Sequence, residues 1–170
     1  MAQFLRPNSD ITTTEIVGSY TAIDETTSNT SDYLTSNDNT DAVYECGLSS
    51  ATDPGVNTGH IVRYTIAKAD TNVPPSTTGN VQLMQIDLYQ GATFIALVRD
   101  LVAVNGWVTS SYTLTGTEAD AITNYADLRI RFTMPTSGGG SPGNRRGGAV
   151  AWAEMEIPDA GAVTRRIFIT

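Results

Sequence analysis

Leu128-Arg129-Ile130-Arg131-Phe132-Thr133-Met134 alternates apolar and polar residues without a break. Successive side chains of an extended chain point to opposite faces. Leu, Ile, Phe and Met therefore build one wall, and Arg, Arg and Thr the other. Such a segment covers a core on one side and meets water on the other. Seven stretches of this alternating kind, each punctuated by Gly, Pro, Asn or Asp, run through the chain. They predict an all-β protein, an antiparallel β-sandwich of jelly-roll-like form with one short helix. The 170 residues suit a single domain able to bury a core.

The segments fall in order. A first strand, or an arm, is expected within residues 1–21, around Ile11–Val17. The stretch 24–41 is dense in Ser, Thr, Asn and Asp and has loop composition, broken by Tyr33-Leu34. Strands are expected over Asp41–Leu48 and Gly59–Ala67, the latter with Val62, Tyr64 and Ile66 facing inward. Asn80–Tyr89 and Thr93–Val102 flank Gln90-Gly91-Ala92, a hairpin connection. Trp107–Leu114 follows, with Val108, Tyr112 and Leu114 on its core face. Thr117-Glu118-Ala119-Asp120 fits an N-cap, Thr117, with an acidic residue at the third helical position, and Ala121-Ile122 completes the turn. Residues 136–148 are Gly-rich and carry Arg145-Arg146. Ala149–Ile157 is the last core strand, and Pro158–Gly161 ends it.

Charge narrows the functional classes. A net charge of −8 repels nucleic acid over most of the surface. No run approaches the length of apolar residues that a membrane helix needs. The start, Met1-Ala2-Gln3-Phe4-Leu5-Arg6-Pro7, lacks the apolar core of a signal peptide. Neither nucleic acid nor membrane is expected as a partner, and synthesis is expected in a cytosol.

Residues suited to chemistry are sparse. His60 is the single histidine and Cys46 the single cysteine. An imidazole metal cluster and an intrachain disulfide are thereby excluded, and a Ser-His-Asp device would have to use His60. His60 is expected to be structural or solvated, and Cys46 buried and inert. Asn37-Asp38-Asn39-Thr40-Asp41 offers oxygen ligands for a hard cation, but lacks the glycine and final Glu of a calcium loop, so a solvated turn is expected and no metal or cofactor. Glu154 and Glu156 share one strand face and read as surface or interface charges, not as a hydrolytic pair. The chain is therefore expected not to be an enzyme. Tyr89 and Trp107, with Tyr125, are the candidates for a glycan-stacking platform. Arg145 and Arg146 are expected to seek carboxylates on a neighbouring protein. Arg165-Arg166-Ile167-Phe168-Ile169 forms a hydrophobic end that must be buried on its own sandwich or on another subunit.

Several motifs together resemble a group of phage-associated β-sandwich proteins. They are Ala22-Ile23-Asp24-Glu25-Thr26 with Ser31-Asp32-Tyr33-Leu34; Tyr44-Glu45-Cys46-Gly47-Leu48-Ser49 with Asp53-Pro54-Gly55; Gly59-His60-Ile61-Val62-Arg63-Tyr64; Thr117–Thr123 leading into Asp127–Phe132; and Ala151–Pro158. The resemblance spans residues 22–158 and brings no catalytic motif. It implies a virion component of a tailed phage, and an acidic sandwich suits a capsid decoration, or cement, protein. The implied partners are the major capsid protein or other virion proteins, with a homo-oligomer expected. A receptor- or glycan-binding module of a tail or fibre is the alternative. Residues 22–158 would be the sandwich, and residues 1–21 and 159–170 would lie outside it as an N-terminal arm or first strand and a C-terminal arm.

Overall fold

The computed structural model describes residues 1–76, 82–135 and 146–161, with residue 82 and residues 101–103 described by their backbone alone. Its strands are β1 (Gln3–Leu5), β2 (Pro7–Thr14), β3 (Ile16–Val17), β4 (Leu34–Ser36), β5 (Ala42–Leu48), β6 (Ile61–Ala69), β7 (Gln82–Gln90), β8 (Thr93–Val104), β9 (Val108–Thr113), β10 (Leu128–Met134) and β11 (Gly147–Ile157). A helical turn, α1 (Gly116–Asp120), sits between β9 and β10, and a 3-10 turn spans Tyr20–Ala22.

The strands form two antiparallel sheets. One runs β3-β4-β11-β6-β9, with β1 also paired to β11; the other runs β2-β5-β10-β7-β8. From β4 onward the pairings nest: β7 with β8, β6 with β9, β5 with β10, β4 with β11. One long hairpin folded over on itself gives this order, and it is the jelly roll. Its innermost turn is Gly91-Ala92, set between the paired Gln90 and Thr93. Gly91 takes a φ of 55° there, in the left-handed region that glycine enters without penalty.

Alternation in the sequence places the core. Leu128, Ile130, Phe132 and Met134 are buried, as are Tyr44 and Cys46 of β5, Met84, Ile86 and Leu88 of β7, and Val62, Tyr64 and Ile66 of β6. Burying these two apolar walls against each other is what holds the sheets together. Between the strands β4 and β1, one side of β11 has no strand beside it. The backbone of Ile23 fills the gap, its carbonyl accepting the N–H of Ala153 at 3.2 Å. A register shift between Val150 and Trp152 lies at this point. Gly147 is required for a different reason: a Cβ there would lie 2.1 Å from the carbonyl oxygen of Ser36.

Several sequence expectations need correction. The loop expected over 24–41 contains β4, because Leu34 is an inward residue of a short strand whose neighbours are polar. Of the two alternatives for residues 1–21, arm or first strand, the chain takes strands: β1 and β3 join one sheet and β2 the other. The cap of α1 is Thr115, not Thr117. Thr115 Oγ1 accepts the N–H of Glu118, and the Glu118 carboxylate accepts the Thr115 N–H at 2.7 Å, a reciprocal capping box. β9 is mostly exposed; of its expected inward residues Leu114 is buried, Tyr112 half-buried and Val108 exposed.

Candidate functional site

The outward faces of both sheets carry ion pairs within the chain. On the first sheet, Glu154 accepts from Arg6 at 2.6 Å and lies 3.5 Å from Arg63, which also pairs with Glu156. The two acids that share a strand face are thus held by two arginines. On the second sheet, Glu45 is only 2% exposed and faces Arg131 at 2.5 Å and Arg129 at 3.5 Å. Arg131 also lies over the ring of Tyr89, 4.2 Å from its centroid. Neighbouring Asp87 is buried. Burial pushes its carboxyl up, against the opposing effects of the Gln85 amide and Arg131.

The loop of candidate cation ligands is committed in the same way. Asp38 accepts the N–H of Gly147 at 2.8 Å and meets Arg146 at 3.4 Å, while Arg146 meets Asp70 at 2.7 Å. Among the described residues no cluster of three or more His, Cys, Asp or Glu side chains is arranged to hold a metal ion.

A cleft of about 580 Å³ opens on the surface of the described residues. The loop after Asp53 forms one side, and the end of α1 with Ile122 and Tyr125 forms the rest. Asp53 Oδ1 accepts the Gly55 N–H at 2.7 Å, which shapes the Asp53-Pro54-Gly55 turn. Asp120 Oδ2 accepts from the Asn57 amide at 3.0 Å and ties the two sides together. Each carboxylate keeps its other oxygen out of any hydrogen bond among the described residues. Behind the cleft, His60 is fully buried and its Nε2 shares a 2.8 Å hydrogen bond with the Tyr125 hydroxyl. His60 Nδ1 faces the Thr58 backbone without an aligned hydrogen bond. Burial holds the imidazole below its usual pKa and pushes the Tyr125 phenol up to about 12. The cleft therefore offers two carboxylates, an amide and apolar side chains, a set suited to binding a cation or a donor-rich group.

The sequence-derived candidates separate in space. Trp107 packs on Ala67, Ala69 and Ala149 of the first sheet, with the Tyr33 ring 6.1 Å away. Tyr89 lies on the outer face of the second sheet, edge-on to Phe94 and beneath Arg131. Tyr125 is largely buried in the wall of the cleft. The three rings lie apart: Trp107 on the first sheet, Tyr89 on the outer face of the second, and Tyr125 at the cleft. Strand alternation could place each ring in or out, but not on which sheet. Arg146 meets carboxylates of its own chain, Asp38 and Asp70. Arg145, Arg165, Arg166, Ile167, Phe168 and Ile169 lie outside the described residues. His60 is buried, and Cys46 is buried as expected, its thiol pushed up to about 12 by burial.

Sequence reasoning missed the cleft. Its signals were the Asp53-Pro54-Gly55 turn and the capped helical turn, but nothing in the sequence tells that the jelly roll brings them together.

No protein-family model matches the chain, and no curated protein does. Among solved structures, the isomalto-dextranase of Arthrobacter globiformis T6, complexed with panose, is similar with a TM-score of 0.41 and 12% identity. The match covers 78% of this chain and 20% of that one, so the chain spans about a fifth of that protein's length.

Proposed function

We propose that this chain is a non-catalytic building block of a tailed-phage particle, a decoration protein that binds neighbouring capsid subunits and its own copies. One observation carries the reading: the histidine, the cysteine and the acids of the sheet faces are committed within the fold. His60 is bonded to Tyr125, Cys46 is buried, and Glu45, Glu154 and Glu156 are held by arginines. What the surface offers instead is adhesive. Phe94 is 53% exposed and Leu97 39%, both on β8, which forms the edge of its sheet. An edge strand bearing apolar side chains is a natural place for another subunit to add. The resemblance over residues 22–158 supplies the identity of the particle.

A chain lacking residues 160–170 is expected to fold and to fail to decorate purified heads. Heads decorated normally by the truncated chain would reject the C-terminal segment as the binding arm. A glycan array is expected to stay blank, since the face of Tyr89 is occupied by Arg131 and Trp107 lies on the alanines. Array binding lost on Trp107→Ala would instead favour the tail or fibre module.

A further inference from the structure

β8 departs from strict alternation, and the departure shapes the outer face of the second sheet. Leu88 pairs with Ala96 and Tyr89 with Phe94, so Ile95 is an extra residue; Ile86 pairs with Arg99 and Asp87 with Leu97, so Val98 is another. Both extra residues join the core. Phe94 and Leu97 lie three apart, a spacing that would put them on opposite faces of a regular strand. The two bulges bring both to the outside, opposite the outward Tyr89 and Asp87. Burial within the chain does not ask for this, since both side chains stay exposed.

Beside them the acids are already masked. Asp87 is 4% exposed, and its two oxygens accept from the Gln85 amide at 3.1 and 3.0 Å. Glu45 is covered by Arg129 and Arg131. Copies of a chain with a net charge of −8 repel one another over most of their surface. A face whose acids are paired and dehydrated is where two copies can meet with little repulsion.

The face is also complementary to itself. The rings of Phe94 and Tyr89 meet edge-on with centroids 5.8 Å apart, and Arg131 lies over the same Tyr89 at 4.2 Å. A guanidinium is planar, and Tyr89 takes one of its two faces. The Arg131 side chain is still 34% exposed. An open ring and an open cation therefore stand side by side, and each is what the other binds. A two-fold axis between two such patches satisfies both at once.

We propose that the outer face of β7 and β8 is the interface of a symmetric dimer, in which Phe94 of each copy lies over Arg131 of the other and Leu97 packs beside it. The proposal rests on the reading that the chain binds its own copies, and assigns that contact to one face.

The test uses the full chain, purified, in sedimentation over a wide concentration range, with amide spectra of the ¹⁵N-labelled protein over the same dilution. Wild type is expected to pass from a monomer of 18.1 kDa to a dimer, with shifts centred on Tyr89, Phe94, Leu97 and Arg131. Phe94→Lys sets a cation against Arg131 and is expected to weaken the dimer by about a hundredfold. Phe94→Leu keeps an apolar side chain but loses the ring, and is expected to weaken it by about tenfold. Both positions of the ring are on the surface, so melting curves should match wild type. A wild type that stays monomeric would overturn the proposal, as would dilution shifts on the first sheet or a Phe94→Lys protein that dimerises like wild type. If wild type stays monomeric and Phe94→Lys abolishes head binding, the face belongs to a capsid subunit and the dimer is overturned. A dimer that decorates no heads leaves this inference standing and overturns the particle reading; heads decorated by a chain that never dimerises do the reverse.

Discussion

Tyr125→Phe removes one oxygen atom and keeps the ring in the wall of the cleft. The lost hydroxyl is the hydrogen-bond partner of His60 Nε2 at 2.8 Å, and His60 is buried with no water route apparent from its zero exposure. Stranding a buried polar nitrogen costs about 1–3 kcal/mol. Unfolding entropy near the midpoint is roughly 2.1 cal/mol/K per residue, or about 0.36 kcal/mol/K for a chain of this length. The melting temperature should therefore fall by about 3–8 °C, read by calorimetry or circular dichroism at pH 7.5.

The same pair sets a pH dependence. Burial lowers the folded-state pKa of His60 below its usual value near 6.5. Below that pH the unfolded chain takes up a proton that the folded chain refuses. The contribution is thus fully present above about pH 6.5 and is lost as pH falls toward the lowered folded pKa. Asp87 and Glu25, whose carboxyls burial pushes up, act with the opposite sign. His60→Gln isolates the histidine: its melting temperature should lose the decline that the wild type shows just below pH 6.5. A Tyr125→Phe protein melting within a degree of wild type, with the decline unaltered in His60→Gln, would refute a structural role for the pair.

Other perturbations follow from the same geometry. Glu45→Ala strips Arg131 and Arg129 of a buried carboxylate; because both arginines are partly exposed, the loss should be about 1–3 kcal/mol in urea unfolding, below that of a fully buried pair. Gly147→Ala drives a methyl into the Ser36 carbonyl, so β4 must move away from β11 at a cost of about 1–3 kcal/mol or more, visible as lost amide protection at Leu34 and Thr35. Cys46 should resist thiol reagents in the native protein and react at the rate of unfolding, since its thiol is buried and its pKa pushed up to about 12. Rapid native labelling would contradict the burial.

Alternation carried much of the fold. β10 reads inward and outward residue by residue, because its outer face stays half-exposed; β5 and β6 are buried at nearly every residue, since ion pairs and packing cover their outer faces too. Short strands left no such trace. β4 has three residues, all buried, so no polar phase marks it. The helical turn was visible through its Thr and Glu, but two threonines compete for the cap, and only the contacts of Thr115 decide between them. Ionic partners were the least legible. Glu45 and Arg131 are 86 residues apart, and their meeting depends on β5 and β10 being neighbours, which follows from the nested topology and not from local pattern. The same holds for Tyr89 and Trp107: each reads as an outward ring, yet Tyr89 lies in the second sheet and Trp107 packs against the first.

The central claim is that this jelly roll builds a particle by binding its neighbours. Quantitative mass spectrometry of purified particles gives the number of copies per head directly. The account predicts hundreds, in step with the capsid lattice; a handful per particle, or none at all, would contradict it.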